Sequence, residues 1–233
     1  MVVTPPGTRR SYRSPQREAR ARATRRRVLR AATSLFDERG YAGTAIRSVA
    51  ERAGVSVPTV EALFGTKSRL LKAAIDVAIA GDGEPVPMLA RDWAAAAARA
   101  ADPESLLSIL AGVLAPAQSR SSGLVLSALE GAGADPELAG LAAQMSAQRA
   151  TMATWVVARL AALAALRAEV GEDEAVDTVF ALMEPALFDR LTRQRGWTLA
   201  RYQDWIARSL RRLLVADAGQ GQRSPPRGKR DAR

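Results

Sequence analysis

The sequence predicts an all-α protein. Apolar residues recur at intervals of three and four along most of the chain, which is the period of an amphipathic helix. The composition is 48% apolar but only 5% aromatic, and this balance favours closely packed helices over sheets. No stretch shows the alternating pattern of a β-hairpin. We therefore expect two helical units joined by a linker.

The first predicted helix runs from about Gln16 to Arg39. Residues 1–15 contain proline, glycine and arginine without an apolar period, so we expect a disordered basic arm there. An apolar stripe follows within the helix, and Gly40 is predicted to end it. The stripe consists of Val28, Ala32, Leu35 and Phe36.

Two short helices joined by a glycine turn come next. Thr44 is predicted to cap the first, Gly54 to form the turn, and Ser56 to cap the second, with Pro58 in its first turn. Thr66 is predicted to cap a fourth helix. Short helix, turn and short helix predict a helix-turn-helix, in which the second helix lies in the major groove of DNA.

The outer face of that second helix is the predicted DNA-reading surface. Thr59 suits a base edge or a phosphate, and Val57 and Pro58 suit thymine methyl groups. The helix starts at Thr44 and at Thr66–Lys67 offer N–H groups to phosphates, and Arg47 and Lys67 add charge. The residues predicted to contact DNA on these grounds are Thr44, Arg47, Val57, Pro58, Thr59, Glu61 and Lys67.

The positive charge is concentrated in the first third of the chain. The net charge is +10. Residues 1–72 carry 16 Lys and Arg against 5 Asp and Glu, a net of +11, whereas residues 73–233 carry 18 against 19, a net of −1. This asymmetry predicts a polyanion-binding N-terminal module on a nearly neutral body. For the arm alone, a solubilising tail is the alternative interpretation.

The rest of the chain is predicted to be a second helical unit. "GDGEPVP" (81–87) is the linker, so we expect a DNA-binding domain over 16–80, a body over 85–215 and a disordered tail over 216–233. Asp102 and Asp135 each precede a proline and a glutamate, a helix-start signal. Helices are predicted from Pro136 to about Val170, from Glu172 to a break near Pro185, and from about Thr198 to Val215.

The composition argues against several functions. The chain has no Cys and no His, which excludes thiol nucleophiles, His-dependent triads and Cys/His zinc sites. We expect no enzyme, no metal and no cofactor. The most apolar stretch, 150–166, contains Arg159 and is too short to span a membrane, and no secretory signal is visible. We expect a cytoplasmic protein without a membrane partner, associated with the nucleoid when bound to DNA.

Residues 28–75 resemble the DNA-binding domain of the TetR (tetracycline-repressor) family of bacterial transcriptional regulators. The shared elements are "LF" ending the first helix, Gly40-Tyr41, Thr44, the turn "VAERAGVS" (49–56) and "FGTKSRLL" (64–71). Residues 177–214 also resemble the C-terminal part of that family. The resemblance implies a homodimeric repressor that binds a palindromic double-stranded operator and releases it when a small-molecule effector binds. It also implies DNA contacts by Thr44, Arg47, Ser56, Thr59 and Lys67.

The predicted body holds candidates for an effector pocket and a dimer interface. Soft and aromatic side chains suit an apolar ligand, although ordinary core packing explains the same residues. The body has no histidine and no obvious buried charge pair, and this favours an apolar or weakly polar effector. The pocket candidates are Trp93, Met145, Met152, Trp155, Phe180 and Met183. The family pattern places Ala181, Leu182, Leu187 and Leu191 at a four-helix dimer interface.

Glu61 departs from the family pattern, which usually has tyrosine there. A carboxylate cannot donate to a phosphate, and the DNA backbone repels it. Three interpretations stay open: Glu61 accepts from a cytosine amino group, it pairs with Arg47 or Arg52, or it weakens binding and the arginine arm compensates. If it spoils sequence readout, the alternative function is a nonspecific or architectural DNA-binding protein driven by the arm.

Overall fold

The computed structural model describes residues 15–82, 84 and 86–216. Within them the chain is all-α, as predicted, and its extended pairing is limited to one bridge between Leu166 and Val215. The arm residues before Pro15 and the tail after Ala216 lie outside the described residues. Among the described residues, no helix has the length and apolar character that crossing a membrane requires.

Within the described residues, four α-helices form the N-terminal head and six form the body. The head contains α1 (Pro15–Arg39), α2 (Ile46–Ala53), α3 (Val57–Phe64) and α4 (Lys67–Ala80). The body contains α5 (Asp92–Ala98), α6 (Pro103–Gly131), α7 (Pro136–Ala162), α8 (Glu172–Leu182), α9 (Pro185–Asp189) and α10 (Leu199–Leu214). A π-helical turn, Arg190–Gln194, follows α9. The predicted domain limits stay a prediction.

Helix α7 ends eight residues earlier than predicted. Ala164 has a φ of +49°, a left-handed conformation that a helix does not tolerate and that alanine rarely adopts. The chain then runs back along the end of α10, where Arg167 N–H donates to Leu214 O and Ala216 N–H donates to Ala165 O. Helix α7 therefore ends because the chain pairs with a distant helix end, and not because of a stop signal in the local sequence.

The buried apolar residues form two clusters that share α6 and α7. The head cluster contains the predicted stripe of α1 and the buried faces of α2, α3 and α4. It also includes Leu124, Val125 and Ala128 from α6, and Leu138 and Leu141 from α7. The body cluster uses the other half of α6 together with α5, α7, α8 and α10. The head is therefore packed onto the body through two long helices.

Polar contacts reinforce this junction on one side at the start of α7. Asp135 caps α7, as predicted, by accepting from Glu137 N–H at 2.9 Å. The same carboxylate accepts from the Tyr41 hydroxyl at 2.6 Å and from the Ser68 hydroxyl at 2.7 Å. These hydrogen bonds hold the pKa of Asp135 below its usual range, and burial raises the pKa of Tyr41.

A second set of polar contacts lies on α6. Arg193 pairs with Asp37 of α1 at 2.7 Å, across Gly123 of α6, where a side chain would collide with the Asp37 carboxylate. Arg120 Nε donates to Ala78 O at 2.8 Å, near the end of α4. These contacts join the C-terminal ends of α1 and α4 to the body.

Candidate DNA interface

The segment 46–64 forms the predicted helix-turn-helix. Gly54 has a φ of +63°, in the left-handed region that favours glycine, and its N–H donates to Glu51 O. Val55 N–H donates to Ala50 O. These two bonds close the end of α2 and direct the chain into α3.

The inner face of the motif is held by the head core. Val49, Ala50 and Ala53 of α2 and Val60 and Phe64 of α3 are all buried, as their spacing predicted. The other face of α3 presents Pro58, Glu61 and Ala62 to solvent, and Arg47 is exposed on α2. Val57 is half-buried against the head core, so less of it faces outward than predicted.

Thr44 differs from its prediction. The N-cap of α2 is Ala45, which makes no side-chain cap. Thr44 is 1% exposed, and its hydroxyl lies 2.8 Å from Gly40 O and 3.0 Å from Leu35 O. The predicted cap is therefore wrong, and the structure does not present this hydroxyl to DNA. Thr44 instead fastens the turn before α2 to the end of α1.

The hydroxyl groups of Ser56 and Thr59 form a pair at the exposed start of α3. Ser56 is the N-cap residue, as predicted, but its hydroxyl makes no cap bond and lies 2.8 Å from the Thr59 hydroxyl. Ser56 is exposed and Thr59 is half-buried. Their contact with DNA stays a prediction: one hydroxyl donates to the other, and the second keeps its proton for a phosphate.

Lys67 is more enclosed than its sequence position indicated. Thr66 caps α4 as predicted, accepting from Arg69 N–H at 3.2 Å. The Lys67 ammonium donates to Tyr41 O at 3.0 Å and lies 3.9 Å from the centre of the Tyr41 ring. Burial lowers the pKa of Lys67. A phosphate contact by Lys67 stays a prediction that requires one of its other N–H donors.

Glu61 does not form the ion pair predicted as one of its three roles. Arg52 instead donates to both oxygens of Glu38, at 2.9 and 3.2 Å, and to the Ser34 hydroxyl at 2.7 Å. The hydrogen bond from Arg52 lowers the pKa of Glu38. Over the described part of the chain, Glu61 makes no ion pair with Arg52 or Arg47. Its carboxylate is exposed on the outer face of α3.

The arginine-rich first half of α1 lies beside α3. The Arg25 guanidinium stacks 4.5 Å from the centre of the Phe64 ring and donates to Leu63 O at 3.4 Å. Residues 16–23 are all exposed. A groove of about 490 Å³ is lined by the side chains of Arg20, Ala23, Thr24, Arg26, Arg27 and Arg30. This basic surface suits phosphate groups. The sequence predicted its charge but not that the side chains form a groove.

The predicted pocket residues of the body do not all come together. Trp93 and Trp155 meet edge to face at 5.8 Å, and Phe180 and Met183 pack against the same body cluster. Met145 packs against the head cluster instead, to which Leu138 and Leu141 of the same helix also belong. Met152 is half-buried. Membership of an effector pocket stays a prediction for the others.

A charge pair missed by sequence reasoning lies among these residues. Arg149 and Glu184 approach to 2.6 Å, with side chains 19% and 33% exposed, and the Arg149 guanidinium stacks 4.2 Å from the centre of the Phe180 ring. Trp93 Nε1 and Arg149 Nε are buried without a hydrogen-bond partner among the described residues. The pair is half-buried, so the expectation of no buried charge pair is not contradicted, but a charge pair does lie beside the predicted pocket residues.

The four predicted dimer residues are all at least partly accessible to solvent. Ala181 is exposed, and Leu182, Leu187 and Leu191 are half-buried. Two large apolar side chains on α10 are also exposed, Leu199 at 39% and Leu213 at 50%. The dimer interface stays a prediction.

These features define a helix-turn-helix DNA-binding protein with a helical body. Residues 28–74 match the model of the bacterial regulatory proteins of the tetR family. The chain is 43% identical over 75 residues to the HTH-type transcriptional repressor Rv3405c of Mycobacterium tuberculosis, a match covering 32% of this chain and 38% of that protein. The chain thus aligns with well under half the length of this curated relative. Its helix-turn-helix segment, residues 28–74, is thus similar to that of the tetR-family regulators.

Solved structures share the fold over most of the chain. NalD, the secondary repressor of the MexAB-OprM multidrug efflux pump in Pseudomonas aeruginosa, aligns with a TM-score of 0.62 at 20% identity, covering 84% of this chain and 99% of that one. A putative regulator from Saccharomonospora viridis, in complex with choline, aligns with a TM-score of 0.63 at 18% identity, covering 84% and 100%. At these identities the likeness is one of fold.

Proposed function

We propose that this protein is a sequence-specific repressor that binds a palindromic operator as a homodimer and leaves it when a small molecule binds the body. The observation that carries the proposal is the helix-turn-helix: α3 is seated by its buried face, and its other face is exposed. The concentrated charge of the head supplies the nonspecific attraction to DNA. Its place of action would be the cytoplasm, on the nucleoid.

The relatives support repression and an effector. Rv3405c is named a transcriptional repressor, NalD is a repressor, and the S. viridis protein was solved with choline. In this chain, Trp93, Trp155, Phe180 and Met183 with the Arg149–Glu184 pair are the proposed effector site. The two N–H donors there that lack a partner within the described chain suit a ligand that carries acceptor oxygens as well as apolar surface.

Selection of random duplex DNA by the full chain at near-physiological salt tests the DNA-binding part. We expect enrichment of a palindrome with half-sites about one helical turn, roughly 34 Å, apart. Enrichment of no sequence, together with binding that collapses as salt rises, would contradict the proposal and favour a nonspecific DNA-binding protein.

A screen for compounds that release the selected duplex tests the effector part. Trp93→Phe is the matched variant, because it keeps an aromatic ring and removes the indole N–H. We expect it to weaken release by a ligand with acceptor oxygens while leaving DNA affinity unchanged. Equal release of both proteins by every active compound would contradict the placement of the site.

A further inference from the structure

Glu61 is an exposed carboxylate on the DNA-facing side of a basic head. It lies on α3, one turn after Pro58 and next to exposed Ala62. The cation expected from the sequence to serve it, Arg52, is already bound to Glu38 and Ser34. The head thus neutralises a carboxylate of α1 and, among the residues described, leaves that of the reading helix without an ion pair. Its lone pairs are available to a ligand.

A carboxylate in the major groove needs a donor. Binding removes its water, and phosphates repel it, so the loss is offset only where it accepts a hydrogen bond. On the major-groove edge, guanine presents only acceptors, and thymine presents an acceptor and a methyl group. Cytosine N4 and adenine N6 are the N–H donors, but adenine also places the N7 acceptor beside its amino group. Cytosine is therefore the favoured base.

The position of Glu61 is fixed well enough for such a reading. Its neighbours Val60 and Phe64 are buried in the head core, and Arg25 stacks on the Phe64 ring at 4.5 Å. Helix α3 is therefore held on both sides of Glu61, and the side chain has only its own rotamers to choose. A side chain on a fixed helix face discriminates bases better than one on a loop.

We propose that Glu61 selects a cytosine in each operator half-site by accepting a hydrogen bond from its N4 amino group. This inference rests on the proposed function and adds the base that α3 reads. It also explains why a DNA-binding surface carries a carboxylate, because the repulsion between Glu61 and the phosphates is offset at sites with cytosine and not at others. Glu61 then excludes wrong sequences as much as it binds the right one.

Parallel selections with the full-length wild type, Glu61→Gln and Glu61→Ala test the proposal. We expect cytosine at one position of each wild-type half-site. Glu61→Gln should shift that position towards adenine, because an amide pairs with adenine N6 and N7. Glu61→Ala should lose the preference there and keep it elsewhere. Glu51→Gln, which removes an exposed carboxylate from α2, is the control and should select the wild-type sequence.

Titrations of the selected duplex give the size of the effect. Replacing the C·G pair by T·A in one half-site should weaken the wild type about 5- to 150-fold, the discrimination typical of one specific base contact, and should leave Glu61→Ala nearly unaffected. Tighter binding by both Glu61 variants to every sequence, with unchanged base preferences, would overturn the proposal. Enrichment of no sequence by any of the proteins would instead overturn the proposed function.

Discussion

The hydroxyl of Tyr41 offers the sharpest test of how the head is fixed to the body. It lies 2.6 Å from Asp135 Oδ2 and 2.8 Å from the Ser68 hydroxyl. Tyr41→Phe removes the hydrogen bond to Asp135 and the contact with Ser68. It keeps the ring, which stacks on Phe36 with centroids 6.2 Å apart. The change therefore isolates the hydrogen bonds from the packing.

The expected cost of Tyr41→Phe is one charge-assisted hydrogen bond. Asp135 keeps the Ser68 hydroxyl and the N–H of Glu137, so no buried group is left unpaired. Hydrogen bonds to charged groups are worth about 1.5–3 kcal/mol, and the half-buried site places Tyr41→Phe near the lower figure. For a chain of this size, about 1.5 kcal/mol lowers Tm by roughly 3 to 6 °C.

Tyr202→Phe is the matched control within the body. Its hydroxyl donates to Gln118 Oε1 at 2.8 Å, and its removal leaves a buried acceptor unpaired, at a cost of about 1–3 kcal/mol. Urea unfolding at one fixed protein concentration measures both variants. Only Tyr41→Phe should also speed hydrogen exchange at the start of α4. Unchanged stability of Tyr41→Phe beside a destabilised Tyr202→Phe would refute the junction bond.

Three further outcomes follow from the structure. Two hydrogen bonds from Arg91, helped by one from Glu84 N–H, lower the pKa of Asp82 to about 2, so its stabilisation is complete above about pH 4 and disappears as the pH falls towards 2. NMR titration should find that pKa and a higher one in Arg91→Gln, still below the free value of about 3.9 because the Glu84 N–H remains; a wild-type value near 4 would contradict the pair. Gly54→Ala should lower the free energy of unfolding by about 1 kcal/mol because the φ of Gly54 is positive, whereas Gly140→Ala, inside α7 with no atom near its added methyl, should raise it by about 0.5–1 kcal/mol. Urea unfolding measures both, and a change of the same sign in the two variants would contradict the backbone argument. Deletion of residues 1–20 should weaken binding to selected and shuffled duplexes by the same factor, and the slope of log affinity against log salt should fall by about 0.9 for each phosphate that is no longer neutralised. A weakening confined to the selected duplex would mean that the arm reads sequence or shape.

Local patterns in the sequence predicted most of the fold. The apolar stripe of α1, the Gly54 turn, the Asp102 and Asp135 caps and the extent of α10 all depend on residues within one or two turns of one another. Helix period and capping act over that range, so a single sequence reveals them. The exposed face of α3 was predictable for the same reason.

Contacts between distant segments were not predictable. Asp135 caps α7 and also accepts from Tyr41, 94 residues away. Thr44 bonds the carbonyls of Leu35 in α1 and of Gly40 just after it, and does not cap α2. The pairing of Arg52 with Glu38, which keeps Arg52 from Glu61, depends on how α1 packs against α2. Such choices are decided by tertiary packing, which the spacing of residues along one helix does not contain.

The ratio of affinities for the selected duplex and for a shuffled duplex of equal length, at about 150 mM salt, tests the central claim most directly. A regulator that reads bases through α3 should bind the selected duplex about 10³-fold or more tightly. A ratio near one, with affinity falling steeply as salt rises for both duplexes, would show that the arginines alone hold the DNA and would contradict the account.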